Sequence, residues 1–424
     1  MKVLVIGGGG REHAIVWKLA QSRHVDKIYC TPGNAGIAEI AECIEVGPDV
    51  EALIDFVKYN WIDITIVGPE EPLSRGIVDA FEKEGRKILG PTKAAAQLEW
   101  SKAFSKDFMR RHRIPTADYK VFTSYIHAQE YVRMMGAPRV IKADGLAAGK
   151  GVVVASTVDE AMQAIDLIMK DRAFGAAGDR VIVEDCLVGE EASFMVFTDG
   201  KTIAPMASAQ DHKRIFDNDR GPNTGGMGAY SPAPVITPEM QEIIMATVMR
   251  PTIDGLQADG IKYKGILYAG LMIADNKPYV LEYNCRLGDP ETQPVLFRLE
   301  TDLVDIALAV ADERLGDIDI AWKPEHAICV VIASKGYPGA YEKGAVISGI
   351  RDANKHEKVV VFHAGTAFGE DDACVTSGGR VLGVTASGAD IVAARDAAYR
   401  AIQDISFDGM QFRKDIAMKA IRTA

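Results

Sequence analysis

Glu282, Asn284 and Arg286 recur at alternate positions of the run Leu281-Glu282-Tyr283-Asn284-Cys285-Arg286, which leads into the turn Gly288-Asp289-Pro290-Glu291. Alternate residues of an extended chain share a face, so these three point one way while Tyr283 and Cys285 point the other. A carboxylate and an amide oxygen suit a hard cation such as Mg²⁺, which takes few protein ligands and completes its shell with water and substrate phosphates. A guanidinium beside them suits a phosphate or a carboxylate. The plainer alternative is a solvated strand face with a salt bridge.

Two glycine-rich runs also bear on phosphate chemistry. The first is Lys142-Ala143-Asp144-Gly145-Leu146-Ala147-Ala148-Gly149-Lys150-Gly151. It departs from a Walker loop: only three residues separate Gly145 from Gly149, and Gly151 follows Lys150 where Ser or Thr would stand. A strand pattern, not a helix, comes next. Such a loop between two strands reads as a mobile flap over a polyphosphate, with Lys142 and Lys150 supplying charge; a plain hairpin is the alternative. The second run, Gly7-Gly8-Gly9-Gly10-Arg11-Glu12-His13, follows the first strand pattern. It fails the dinucleotide fingerprint, because Glu12 or His13 stands at the third glycine and Cys30-Thr31-Pro32 ends the second strand without an acidic residue. Its glycines can still bring backbone N–H groups to a phosphate at a helix N-terminus, with Arg11 beside it, or simply make a tight turn. A further strand pattern ends at Glu184 and leads through Leu187 to Glu191. That linker can offer backbone groups to an adenine edge and a carboxylate to ribose hydroxyls, although an acidic surface turn reads the same way.

The elements that must position these residues fall into three patterns. Residues 1–101 alternate short apolar runs (2–6, 27–30, 62–67) with helical stretches (12–21, 50–59), the rhythm of a doubly wound parallel sheet. Ligands of such sheets bind at the loops after the strands' carboxyl ends, here 7–11, 32–36 and 68–72. After two helical stretches (93–99 and 102–112), strand patterns at 139–142, 152–155, 181–184 and 192–198 indicate an α+β region. Residues 211–234 show almost no regular periodicity, and an irregular stretch of that length inside a compact protein is usually functional. Paired strands at 265–274 and 277–286 flank the turn Asp275-Asn276. From about residue 325, strands at 326–333, 359–362 and 378–385 and a helix at 389–404 read as a small α/β cap. No internal repeat or low-complexity segment is present.

Composition excludes several classes. Of the 424 residues 48% are hydrophobic and 25% charged, as in a globular protein, and the formal net charge is −11. An acidic chain is poorly suited to nucleic acid or anionic membranes. The six cysteines lie far apart with no Cys-x-x-Cys pair, so buried reduced thiols are expected rather than a zinc site or disulfide framework. No apolar run reaches the ~18 residues of a membrane span and no signal peptide precedes the first strand, so a cytoplasmic location is expected.

The longer strings are more specific than any single glycine motif. Gly9-Gly10-Arg11-Glu12-His13, Pro32-Gly33-Asn34-Ala35-Gly36, Gly68-Pro69-Glu70, the run from Lys142 to Gly151, Gln210-Asp211-His212-Lys213-Arg214, Gly221-Pro222-Asn223-Thr224-Gly225-Gly226-Met227-Gly228 and the run from Glu282 to Gln293 resemble the phosphoribosylamine–glycine ligases of the ATP-grasp superfamily. The likeness runs essentially from end to end. It implies an N-terminal doubly wound domain (1–101), a central ATP-grasp domain (102–324) with a small mobile lid at about 120–190, and a C-terminal cap (325–424). It implies ATP-dependent joining of glycine to 5-phosphoribosylamine, through glycyl phosphate, in purine biosynthesis, with Mg²⁺ or Mn²⁺. Lys142, with Lys102 or Lys106, matches the phosphate-contacting lysines; Glu184 and Leu187 match the adenine hinge; Glu191 matches the ribose carboxylate; Glu282 and Asn284 match the metal ligands. Phosphoribosylamine would lie against Gly9, Gly10, Arg11, Glu12, Asn34, Pro69 and Glu70. Glycine would lie near Asp211, Lys213, Asn223 and Asp289.

Three positions depart from the family pattern: Gly8 replaces a usual Asn or Ser, Trp100 a small residue, and Cys186 an aromatic in the hinge. No Ser/His/Asp or Cys/His arrangement is evident, so the expected chemistry is positioning and charge neutralisation by the metal, Lys142, Lys150 and Arg286. One activity is expected, since the chain ends after the cap, and the protein is expected to be a monomer or weak homo-oligomer. The competing readings are an ATP-grasp enzyme for another acid or amine, a nucleotide-binding regulator, and an oxidoreductase that the failed fingerprint disfavours.

Overall fold

The computed structural model describes residues 1–47, 49–146 and 151–423. The N-terminal apolar runs form a five-stranded parallel sheet in the order Glu42–Cys43, Lys27–Pro32, Lys2–Gly7, Ile64–Val67, Ile88–Leu89. The strand order reverses at Lys2–Gly7, which is flanked by both its sequence successor and Ile64–Val67. At such a switch point the loops diverge and leave a crevice, and here the loops after Gly7 and Val67 border it. Near-continuous burial along Lys2–Gly7 and Ile64–Val67 is what a sheet covered on both faces requires.

Two antiparallel sheets follow. One is four-stranded, in the order Ile203–Pro205, Glu190–Thr198, Gly265–Ala274, Lys277–Asn284. Asp275 and Asn276 both take left-handed φ between its last two strands, the backbone a two-residue hairpin turn demands. The other has the order Tyr119–Phe122, Val181–Asp185, Arg139–Ala143, Val152–Ala155. Helices Tyr125–Met135 and Val158–Ile165 cover one of its faces and give this unit its own core of Phe122, Val132, Ile141, Ile165 and Val183. The larger sheet instead shares a core with the N-terminal unit, where Leu4, Ile6 and Phe81 join Phe194, Leu267 and Tyr283.

Residues 211–234 are more ordered than their lack of periodicity predicts. They contain a small hairpin, Arg214–Phe216 with Arg220–Asn223, and a strand, Gly228–Ser231. That strand pairs with His326–Ser334, so the C-terminal sheet runs Gln210–Asp211, Gly228–Ser231, His326–Ser334, Arg380–Gly388, Val359–His363. The regularity is hidden from the sequence because these strands are short, and Gly228–Ser231 pairs across about a hundred residues. The helix Ile391–Ile402 packs against this sheet. All six cysteines are free thiols; Cys30, Cys285 and Cys329 are buried as expected, but Cys43, Cys186 and Cys374 are only half-buried. Among the described residues no helix is long and apolar enough to cross a membrane.

Candidate active site

The strand carrying Glu282 is irregular just before it. Val280 pairs with Leu271 and Glu282 with Gly270, so Leu281 is the extra residue of a bulge. Bulges re-aim the side chains that follow, and the freed Leu281 carbonyl accepts a hydrogen bond from Lys142 Nζ at 3.0 Å. Glu282 and Asn284 are half-buried on one face while Tyr283 and Cys285 are buried on the other, as the alternation predicts. Burial disfavours the Glu282 carboxylate, but Lys213, Lys102, Lys142 and Arg286 together outweigh it and hold the group below the usual range. Among the described residues neither the Glu282 carboxylate nor the Asn284 amide is hydrogen-bonded within the fold. Two oxygen donors left unused beside four cations fit a divalent cation that is shared with an anionic phosphate chain.

The sheet of Tyr119–Phe122, Val181–Asp185, Arg139–Ala143 and Val152–Ala155 meets this strand through a buried ion cluster. Lys142 and Glu184 lie on adjacent strands whose register, Lys142 to Ile182 and Val140 to Glu184, puts both side chains on one face. Glu184 Oε2 receives Lys106 at 2.9 Å and Lys142 at 3.0 Å. Its Oε1 is buried without a partner, an acceptor suited to an incoming N–H donor. Burial, aided by Lys142, pushes Lys106 down to about 8 against the pull of Glu184. Lys102 donates to the Gly145 carbonyl at 2.8 Å, and burial lowers it too. Glu184 thus orders two lysines, a role nothing in its local sequence signalled. Leu187 and Cys186 are half-buried beside it. Glu191 pairs with Lys213 at 2.7 Å. Lys150 lies outside the described residues.

The N-terminal loops are held together by the same side chains that the sequence assigned to ligand contact. Glu12 accepts from the Gly9 N–H at 2.6 Å and from Arg11 Nε at 2.6 Å. Asn34 donates to the Gly8 and His363 carbonyls and accepts from the Gly36 and Ile37 N–H groups, all at 2.9–3.0 Å. This uses the full capacity of its amide, so its part in the site is to shape the loop. Arg11 Nη1 donates to the Leu287 carbonyl at 3.2 Å, which brings Gly9 and Gly10 against the Asp289 turn. Glu70 follows Pro69 at the start of helix Glu70–Arg75 and reaches Arg286 Nε at 3.3 Å.

Arg286 is more committed than expected. Besides Glu70 it pairs with Glu99 at 2.8 Å, and Glu99 also accepts from the Cys285 N–H at 2.7 Å. Sequence reasoning missed Glu99, because its partners lie about 190 residues away. It also missed Gln293, which donates to Asp289 at 3.0 Å while its own carbonyl oxygen is buried without a partner. On the far side, burial pushes Asp211 up to about 7 despite Lys213. Burial opposes the charge of Lys213, yet Glu191, Asp211 and Glu282 hold it well above its ordinary value. Asn223 pairs with Arg214 across the small hairpin.

The residues that could bind phosphate, adenine and a metal thus converge from three sheets on one crevice. Family models describing phosphoribosylglycinamide synthetase match almost the whole chain: the N domain at residues 1–99, the ATP-grasp domain at 100–292 and the C domain at 327–419. The chain belongs to the phosphoribosylglycinamide synthetase family. A relative in this family, the phosphoribosylamine–glycine ligase of Vibrio parahaemolyticus, is 54% identical over 425 residues, covering 99% of each chain. That of Salmonella typhimurium is 52% identical over 428 residues, again covering 99% of each. The crystal structure of the Thermotoga maritima phosphoribosylamine–glycine ligase superposes with a TM-score of 0.84 at 32% identity, covering 98% of this chain and 100% of that one. The biotin carboxylase of Campylobacter jejuni shares the fold (TM-score 0.72) at 15% identity. The family carries an ATP-grasp domain, and ATP-grasp enzymes use ATP and a divalent metal.

Proposed function

We propose that this protein joins glycine to 5-phosphoribosylamine with ATP, giving glycinamide ribonucleotide, ADP and phosphate in purine biosynthesis. The observation that carries the reading is the convergence of Lys102, Lys142, Lys213 and Arg286 on Glu282, beside an Asn284 amide left free. ATP lies with its adenine at the Glu184–Leu187 hinge, its ribose at Glu191, and its phosphates along Lys102, Lys106, Lys142 and Lys150. Phosphoribosylamine lies at Gly9, Gly10, Arg11, Pro69 and Glu70, in the loops that Glu12 and Asn34 shape. Glycine lies toward Asp211, Lys213, Asn223 and Asp289. Glu282 and Asn284 hold Mg²⁺ or Mn²⁺, which when bound neutralises charge on the phosphate chain.

Glycine's carboxylate oxygen attacks the γ-phosphorus, and the bridging P–O bond to ADP breaks. The amine of phosphoribosylamine then forms a C–N bond at the acyl carbon. The acyl C–O bond of glycyl phosphate breaks, phosphate leaves, and the nitrogen loses a proton. No protein nucleophile is needed, so this chain's work is positioning, worth ~7–11 kcal/mol of the barrier, and charge compensation by fixed lysines. Arg286, held by Glu70 and Glu99, contributes a fixed positive field. We propose that the enzyme acts in the cytoplasm, as a monomer or weak homo-oligomer, without nucleic-acid or membrane partners.

ADP release tests the reading, with glycine and freshly generated 5-phosphoribosylamine added singly and together. Release that needs both, with glycinamide ribonucleotide identified by mass, is expected. Release with a different acid or amine would overturn the substrates but keep the chemistry. ATP binding with no release for any pair would point to a regulator.

A further inference from the structure

The loop around Gly225 and Gly226 and the turn at Asp289 come from different parts of the chain, yet they meet at one residue of the C-terminal sheet. Arg380 Nη1 donates to the Gly225 carbonyl at 2.6 Å and the Asp289 carbonyl at 2.7 Å. Its Nη2 donates to the Asp289 carboxylate at 2.8 Å. Tyr337, also from the C-terminal unit, accepts from the Gly225 N–H at 3.0 Å. The loop packs closely on this turn: Gly226 has φ +113°, and a Cβ there would collide with the ring of Pro290. Burial disfavours the Arg380 charge, but Asp289 more than compensates and raises its affinity for the proton. The same Asp289 carboxylate faces Gly9 and Gly10 and takes a hydrogen bond from Gln293. One guanidinium therefore ties the loop of residues 223–228 to the Asp289 turn, which lies beside the N-terminal glycine loop.

We infer that Arg380 is a positioning residue for glycine: the C-terminal unit clamps the two segments between which the amino acid sits. This rests on the proposed placing of glycine in those segments. The planar fork matters, because its two terminal nitrogens hold two carbonyls and a carboxylate in one rigid geometry. A lysine offers a single nitrogen on a flexible stem, without that fixed fork.

The test is a comparison of KM values for Arg380→Gln, Arg380→Lys and Tyr337→Phe in the full chain, with ATP affinity by calorimetry as a check on folding. The clamp predicts a rise of about tenfold or more in KM for glycine in Arg380→Gln, an intermediate rise in Arg380→Lys, and a smaller one in Tyr337→Phe. ATP affinity should stay within about twofold, since among the described residues none of Arg380's hydrogen bonds reaches residues 120–190. A rise confined to 5-phosphoribosylamine would overturn Arg380 as a positioning residue for glycine. Unchanged KM for both in folded Arg380→Gln would overturn the clamp. Should that variant not fold, Tyr337→Phe decides alone: it removes one oxygen from the same grip, and unchanged KM for both substrates would overturn the proposal.

Discussion

Glu282 is the residue whose chemistry is most strongly set by its surroundings. Four cations face a carboxylate that makes no hydrogen bond or direct ion pair among the described residues, which keeps it ionised and leaves its oxygens for a metal. Glu282→Gln keeps the shape and one oxygen but loses the charge. Loss of partners that merely orient metal ligands costs 10–100-fold, so turnover should fall by about 10²-fold or more while the unfolding midpoint barely moves. Turnover near that of the parent protein at saturating Mg²⁺ would remove Glu282 from the metal site. This pairing was legible in the sequence because alternation along a strand is a local rule: Glu282 and Asn284 had to share a face wherever the strand lay. The bulge at Leu281 was not legible, since it depends on the register with Gly265–Ala274.

At the scale of elements, the crevice depends on how closely two loops of the parallel sheet approach. Gly33 donates its N–H to the Gly7 carbonyl at 3.2 Å, and a Cβ on Gly8 would collide with the Gly33 carbonyl oxygen. Gly8 looked like a minor departure from its family's usual Asn or Ser. In this protein it is what lets the loops after the first and second strands interlock, with Asn34 bridging them. Gly8→Ser should force them apart at a cost of about 1–3 kcal/mol, the range for inserting atoms into a packed site. A thermal midpoint lowered by a few degrees, together with a raised KM for 5-phosphoribosylamine, is the expected result; an unchanged midpoint would mean the loops separate freely. The parallel character of the N-terminal sheet, the strands at 139–142, 152–155 and 181–184 and the hairpin at Asp275-Asn276 followed from periodicity and turn chemistry, whereas the order of the strands and the strand Tyr119–Phe122 did not. The strands within residues 210–231 did not, because two- to four-residue segments carry too few side chains to display a period. Arg380 escaped for a related reason: its partners lie 91 and 155 residues away, and no local pattern encodes such a meeting.

For the whole molecule, the question is what makes the N-terminal unit and the central sheet one body. They share a continuous apolar core, and at its edge Arg286 of the central unit is held between Glu70 and Glu99 at 3.3 and 2.8 Å. Burial pushes Glu99 up, against the pull of Arg286, so the pair survives only because each charge has the other. Breaking a buried pair by removing one partner costs about 3–5 kcal/mol, whereas replacing both with neutral groups is often tolerated. Arg286→Met should therefore lower stability by that amount in urea unfolding. Adding Glu99→Gln should recover most of it, because glutamine can still accept from the Cys285 N–H. Activity should not follow the same course: the double variant lacks the positive field beside Glu282 and should remain slow although it is stable. If Arg286→Met proved as stable as the parent, Arg286 would be a site residue only, and the apolar core alone would join the two units. If the double variant regained activity as well as stability, the contribution of Arg286 to catalysis would be the placing of the sheets and not its charge.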